Sequence, residues 1–172
     1  PARGFAAELL DTAGNPLVCG ALRVPGATRT LLLYLHYDGQ PVDPKGWRQA
    51  DPFTPVVRTG RLDRGGTPVA EARRLGKYDP EWRIYARSAS DDKAPIVATL
   101  AALDALKANG LAPTWNVRII LDGEEEASSP SLVPAIAKYK DKLDADLMVI
   151  LDGPIHSSGR PTLAYGARGI VT

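Results

Sequence analysis

The residues with chemical potential in this chain fall at the ends of apolar runs. "LLLYLH" closes on His36, with Asp38 two positions further on, and "VRIILD" runs into Glu124, Glu125 and Glu126. "LMVILD" ends on Asp152, and the weaker run "RIYAR" leads through "SAS" to Asp91 and Asp92. A buried strand has no structural need for an imidazole at its last position. One imidazole with several carboxylates is a donor set for zinc or another borderline divalent ion. Carboxylates gathered at one edge repel one another and lose solvation unless cations compensate them. Two metals sharing a bridging aspartate would use such a set. Asp38 could then take the proton of the second ring nitrogen of His36, and a spare glutamate could serve as general base on a metal-bound water.

Each residue also has a plain structural use. His36 could be a hydrogen-bonded histidine at a strand end. Asp91 and Asp92 precede a helix, where aspartate is a favoured N-cap and Pro95 suits the first turn. Glu124 to Glu126 could form a solvated loop, and Asp152 before Gly153-Pro154 could be a turn residue. The conjunction at one edge is what favours a metal.

The elements that must position these groups read as a mixed, largely parallel α/β fold. Strands are expected at 4–10, 16–24, 29–36, 115–122 and 145–152, with a weaker one at 82–87 and a last one in "PTLAYGARGIV" (161–171). The first two, joined through "AGN", suggest a hairpin. "APIVATLAALDALKANG" (94–110) repeats apolar residues every three or four positions and ends in a glycine, which predicts a helix. A second helix is expected over 130–143, after two serines suited to capping and with lysines toward its end. Strands alternating with helices imply a sheet whose ligand crevice lies at the carboxyl ends of its strands. Residues 37–81 are dense in Gly, Pro and Asp, with one short strand at "PVVRTGRL". A connection of that length is usually functional.

Composition narrows the classes. The 172 residues are 44% hydrophobic and 24% charged, with a formal net charge of +1. No basic run marks a nucleic-acid binder, and no apolar segment approaches membrane-spanning length. The single cysteine, Cys19, forms no internal disulfide, which fits a reducing compartment, so a cytoplasmic location is expected.

"LLLYLHYDGQPVD", "RSASDDKAP", "LDGEEEASSPSL" and "LDG" before "PTLAYGARGIVT" together resemble the successive motifs of the di-zinc peptidase and amidohydrolase family. That family includes carboxypeptidase G, carnosinase-type dipeptidases, aminoacylase and acetylornithine deacetylase. The resemblance implies His36, Asp91 and Asp152 as ligands of a first zinc, with Asp38 orienting His36. It implies Asp91 as the bridging carboxylate, followed by a cis peptide bond, Glu126 as a ligand of the second zinc, and Glu125 as the general base. The implied reaction is hydrolysis of peptides or N-acyl amino acids by a metal-bound water.

Family glycines are replaced by Ala86, Ala94 and Ser128, small-for-small changes expected to be tolerated. The resemblance further implies that residues 1–172 are a partial catalytic domain. In the family, a lid that mediates dimerisation and a second zinc-binding histidine follow. His156, in "GPIHSSGRP", is expected to be a loop residue and not a substitute ligand. One metal at most is then held firmly, and turnover is slow or absent. The alternatives are a small-metabolite deacylase or desuccinylase, and a non-catalytic interaction module.

Overall fold

The computed structural model describes residues 3–153, 156, 158–160 and 162–163. The strand expected over 161–171 lies, apart from residues 162 and 163, outside them. Five strands form the main sheet: β1 (Ala6–Leu10), β2 (Leu17–Leu22), β3 (Thr30–His36), β6 (Asn116–Asp122) and β7 (Leu147–Ile150), in the order β1-β2-β6-β3-β7. β1 and β2 make the expected antiparallel hairpin, with Leu10 opposite Leu17. β2 runs antiparallel to β6, while β3 runs parallel to both β6 and β7. The mixed sheet with a parallel centre therefore agrees with the sequence reading.

The interior position of β3, between β6 and β7, follows from its composition. Leu32, Tyr34, Leu35 and His36 are all buried, which requires cover on both faces, because alternate residues point to opposite sides. Burial of a leucine such as Leu35 contributes about 1.5–3 kcal/mol, so the strand that ends in His36 is among the best-anchored parts of the molecule. A core of Leu10, Leu17, Leu32, Tyr34, Ile120 and Leu143 packs on one face of the sheet. Over the other lies helix α1 (Lys93–Ala108), separated from it by an apolar slot of about 270 Å³ lined by Phe5, Val18, Leu35, Ile96, Leu100 and Leu121. Gly110 ends α1 as expected, at φ +68°, a conformation glycine adopts without a Cβ clash.

Three local expectations change. The strand expected at 82–87 is β5 (Arg83–Tyr85), and it pairs with β4 (Val56–Arg58) in a separate two-stranded sheet. Asp91 is therefore delivered by a turn after that hairpin and not by a strand of the main sheet. The helix expected over 130–143 is two helices, α2 (Leu132–Lys138) and α3 (Lys140–Leu143). They break at Tyr139, whose hydroxyl donates to the Asp11 carbonyl. Finally, Ser128 and Ser129 do not cap α2: both take left-handed backbone, at φ +68° and +47°, and Ser129 turns its hydroxyl to Asp122.

Candidate metal centre

Parallel pairing sets the site. β3 and β6 are in register with His36 opposite Asp122, so the turn after β6 lies beside the end of β3. β7 pairs with β3 as far as Tyr34–Ile150, which places Asp152 two residues past the end of its strand, on the same edge. The His36 side chain is fully buried there. Its Nδ1 lies 3.1 Å from Asp38 Oδ1 and its Nε2 lies 2.9 Å from Asp91 Oδ1. The same Nε2 is 3.8 Å from Asp152 Oδ2 and 3.9 Å from Glu125 Oε2. Candidate ligand atoms fall into two groups within 4.8 Å of one another: His36, Asp91 and Asp152, and His36, Glu125 and Glu126.

The structure thus brings together the six residues to which the resemblance gives roles, His36, Asp38, Asp91, Glu125, Glu126 and Asp152. Asp38 has a second contact that sequence did not suggest. Its Oδ2 accepts the Glu126 backbone N–H at 3.1 Å, so one carboxylate touches both the histidine and the glutamate turn. Gln40 Nε2 donates to Glu126 Oε2 at 2.5 Å, fixing the outer side of that carboxylate. The peptide bond between Asp91 and Asp92 is cis.

Asp92 stands at the N-cap of α1 yet makes no capping hydrogen bond with its side chain. It is almost fully buried, and Oδ2 accepts the His36 backbone N–H at 3.1 Å. Neighbouring aspartates therefore address the two ends of one histidine, Asp91 at the ring and Asp92 at the main chain.

Electrostatics carry the signature of a cation site. Burial raises the Glu125 carboxyl above its ordinary range, with the opposing pull of His36 outweighed by Asp152, Glu126 and Asp38. Burial likewise raises Asp152, against His36 and with Asp91 and Glu126. Burial also raises Asp92, against the N–H and charge of His36 and with Asp152 and Asp91. For His36, burial acts to lower the pKa, but Asp152, Asp92, Glu125 and the Asp38 hydrogen bond prevail and raise it. The carboxylates around His36 thus favour its protonated form, which offsets part of their negative charge. A divalent ion facing Nε2 offsets more of it, and one imidazole with carboxylate oxygens is a donor set suited to zinc. The residues present fit such an ion.

His156 is apart from this set. Its Nδ1 lies 2.8 Å from Ser158 Oγ and accepts the Ser158 N–H in an exposed loop, and neither candidate ligand group among the described residues includes it.

Sequence reasoning missed Asp122. It is buried, and Oδ2 accepts from Tyr34 Oη at 3.1 Å and from Ser129 Oγ at 2.6 Å, while Oδ1 accepts from Glu124 N at 3.0 Å. The available signal was its place as the last residue of "VRIILD", the position His36 holds in "LLLYLH".

The chain is also similar to known metallopeptidases. The chain is 29% identical over 157 residues to the Cys-Gly metallodipeptidase dug1 of Schizosaccharomyces pombe, covering 90% of this chain and 29% of that protein. It is 29% identical over 157 residues to the human Beta-Ala-His dipeptidase, covering 90% of this chain and 26% of the relative. The crystal structure of an M20 family metallo-carboxypeptidase, Sso-CP2 from Sulfolobus solfataricus, superposes with a TM-score of 0.69 at 34% identity, over 92% of this chain and 31% of that one. The chain thus spans under a third of the length of these relatives. Residues 32–166, which run from within β3 past Asp152, match the model of Peptidase family M20/M25/M40, and the chain belongs to that family.

Proposed function

We propose that these 172 residues are the metal-binding part of a catalytic domain that hydrolyses peptide or N-acyl amino acid amide bonds, with zinc as the metal. The observation that carries this reading is the convergence on His36 Nε2 of Asp91, Asp152 and Glu125, with Asp38 behind the ring. Family membership and the similarity to dipeptidases support the reaction class.

His36, Asp91 and Asp152 would hold the first ion, and Glu126 with Asp91 would contribute to a second. Ions there would supply Lewis acidity to a scissile carbonyl and to a water beside it. The chain's own residues do the rest. Asp38 accepts the Nδ1 proton of His36, which leaves Nε2 free to ligate and makes it more basic. Gln40 and the Asp38 contact to the Glu126 N–H fix the second carboxylate. Glu125, with Oε2 3.9 Å from His36 Nε2, would take a proton from the attacking water and return it to the leaving nitrogen. The first ion has three protein ligands in this chain, the number usual for a catalytic zinc, while the second has two. The chain by itself therefore holds one ion firmly and turns over slowly.

The test is zinc uptake with Glu125→Gln as the diagnostic variant. Uptake of the first equivalent is expected within about threefold of wild type, and hydrolysis of dipeptide or N-acyl amino acid substrates is expected to fall about 10²–10⁴-fold. Zinc uptake unaltered by replacing His36, Asp91 and Asp152 together would end this reading.

A further inference from the structure

We infer that Asp122, outside the proposed ligand set, is a positioning residue that clamps the glutamate turn to the strand bearing His36; this rests on the metallohydrolase reading above. The clamp is three-pointed. One oxygen of a buried carboxylate takes the hydroxyls of Tyr34 and Ser129, and the other takes the Glu124 backbone N–H. Tyr34 lies on β3 two residues before His36, hence on the same face of the strand. Glu124 and Ser129 bracket Glu125 and Glu126. Asp122 therefore fixes both ends of the turn to a point on β3, and with it the spacing between the histidine and the two glutamates.

The turn needs such a hold. It closes on its own backbone through Ala127 N to Glu124 O at 3.0 Å, Ser128 N to Glu125 O at 2.8 Å and Ser129 N to Glu124 O at 2.8 Å. Its last two residues, Ser128 and Ser129, both have positive φ. Non-glycine residues in that region persist where surrounding contacts over-determine them. The 2.6 Å hydrogen bond from Ser129 Oγ to Asp122 is such a contact.

Gly123 keeps the approach close. A Cβ there would fall 2.2 Å from the Tyr37 hydroxyl oxygen and 2.8 Å from Asn15 Cβ. Asp91 and Asp152 arrive from other segments, and among the described residues no hydrogen bond joins either of them to the three groups bound by Asp122. The clamp thus acts on the Glu125–Glu126 side of the site and not on the Asp91–Asp152 side.

Two measurements on the full chain test this, using Ser129→Ala and Tyr34→Phe as mild variants and Asp122→Asn as the stronger one. The first is amide hydrogen exchange without metal. Each variant is expected to speed exchange across 124–129 about tenfold or more, with β3 and β6 held at wild-type protection. The second is titration with cobalt(II), followed by its visible absorption. The equivalent that depends on Glu126 is expected to weaken about 10–100-fold, the usual effect of losing a group that supports a ligand. The equivalent held by His36, Asp91 and Asp152 should move by less than about threefold.

Unchanged exchange in the turn in both mild variants overturns the clamp. So does faster exchange spread evenly over the sheet, or parallel weakening of both cobalt equivalents, since either marks general destabilisation. A wild-type chain that binds no cobalt overturns the metallohydrolase reading instead, and the metal-free exchange then decides the clamp alone.

Discussion

Adding zinc to the metal-free chain at a series of pH values distinguishes a metal centre from a solvated acidic patch. Without metal, burial and mutual repulsion raise Asp92, Glu125 and Asp152, whose ordinary values are 3.8, 4.5 and 3.8. The surrounding carboxylates overcome burial and raise His36 from 6.5. All four groups bind a proton more tightly folded than unfolded. Each therefore contributes stability that is fully present below its unfolded pKa and is lost as pH rises through the higher folded one. The loss starts near pH 4 for the carboxyls and near 6.5 for His36, so these groups make the metal-free chain less stable toward neutral and alkaline pH.

An ion bound by His36 and Asp152 together with Asp91 acts in the opposite sense, because it takes only deprotonated ligands. Charged oxygens of Asp91 and Asp152 within 4.8 Å of each other repel by about 3.5 kcal/mol or more at an effective dielectric constant near 20, before salt screening. That is repulsion a divalent ion between them removes. With free zinc at about 100 times Kd the stabilisation is about 2.7 kcal/mol. For a chain of this size that raises Tm by about 5–11 °C. Melts followed by circular dichroism should show a zinc-induced shift that grows steadily from about pH 5 to pH 8 and is lost in the Asp91→Asn, Asp152→Asn double variant. A shift independent of pH, or one retained by that double variant, would refute the reasoning.

Other outcomes follow from single contacts. Ser128→Gly places glycine at φ +68° and is expected to stabilise the chain by about 1 kcal/mol in chemical denaturation. Gly123→Ala drives a Cβ into the Tyr37 ring and Asn15, and should cost about 1–3 kcal/mol by the same measurement. Asp38→Asn can satisfy the His36 N–H or the Glu126 N–H, but not both, since its NH₂ accepts neither. Zinc affinity measured by competition with a chelating dye should fall about 10–100-fold.

What sequence made legible was whatever depends on local apolar runs and their ends. His36, Glu125, Glu126 and Asp152 were found because continuous hydrophobic segments stop on or just before them, and α1 because its period and terminal glycine are local signals. What escaped depends on pairing across distance. Nothing local says that β5 leaves the main sheet for β4, because the preference lies in the partner strand. Asp92 looked like a cap because it stands where caps stand. Its actual use, accepting the His36 N–H, is set by a residue 56 positions away. Asp122 was hidden for a related reason: its three donors come from β3 and from both ends of a turn whose left-handed serines no apolar pattern reveals.

The groups that would hold the first ion differ sharply in how they are supported. His36 is fully buried at the end of the interior strand β3, with both ring nitrogens and its backbone N–H facing carboxylates. Asp91 is reached only after the long excursion that carries the β4–β5 hairpin, and its side chain is 63% exposed. Asp152 follows a four-residue edge strand whose Leu147, Met148 and Ile150 are exposed. An ion joining these three residues would tie positions 55 residues apart, His36 and Asp91, and then a third just past the neighbouring strand β7. An ion bound by all three stabilises the folded arrangement, because the separated segments offer no such site in the unfolded chain. The ion would therefore fasten the excursion and the β7 edge to the one ligand that the sheet already holds rigidly. On this argument the burial of "LLLYLH" is what allows the other two arms to be weakly supported: the imidazole defines where the ion sits, and the ion then defines where Asp91 and Asp152 sit.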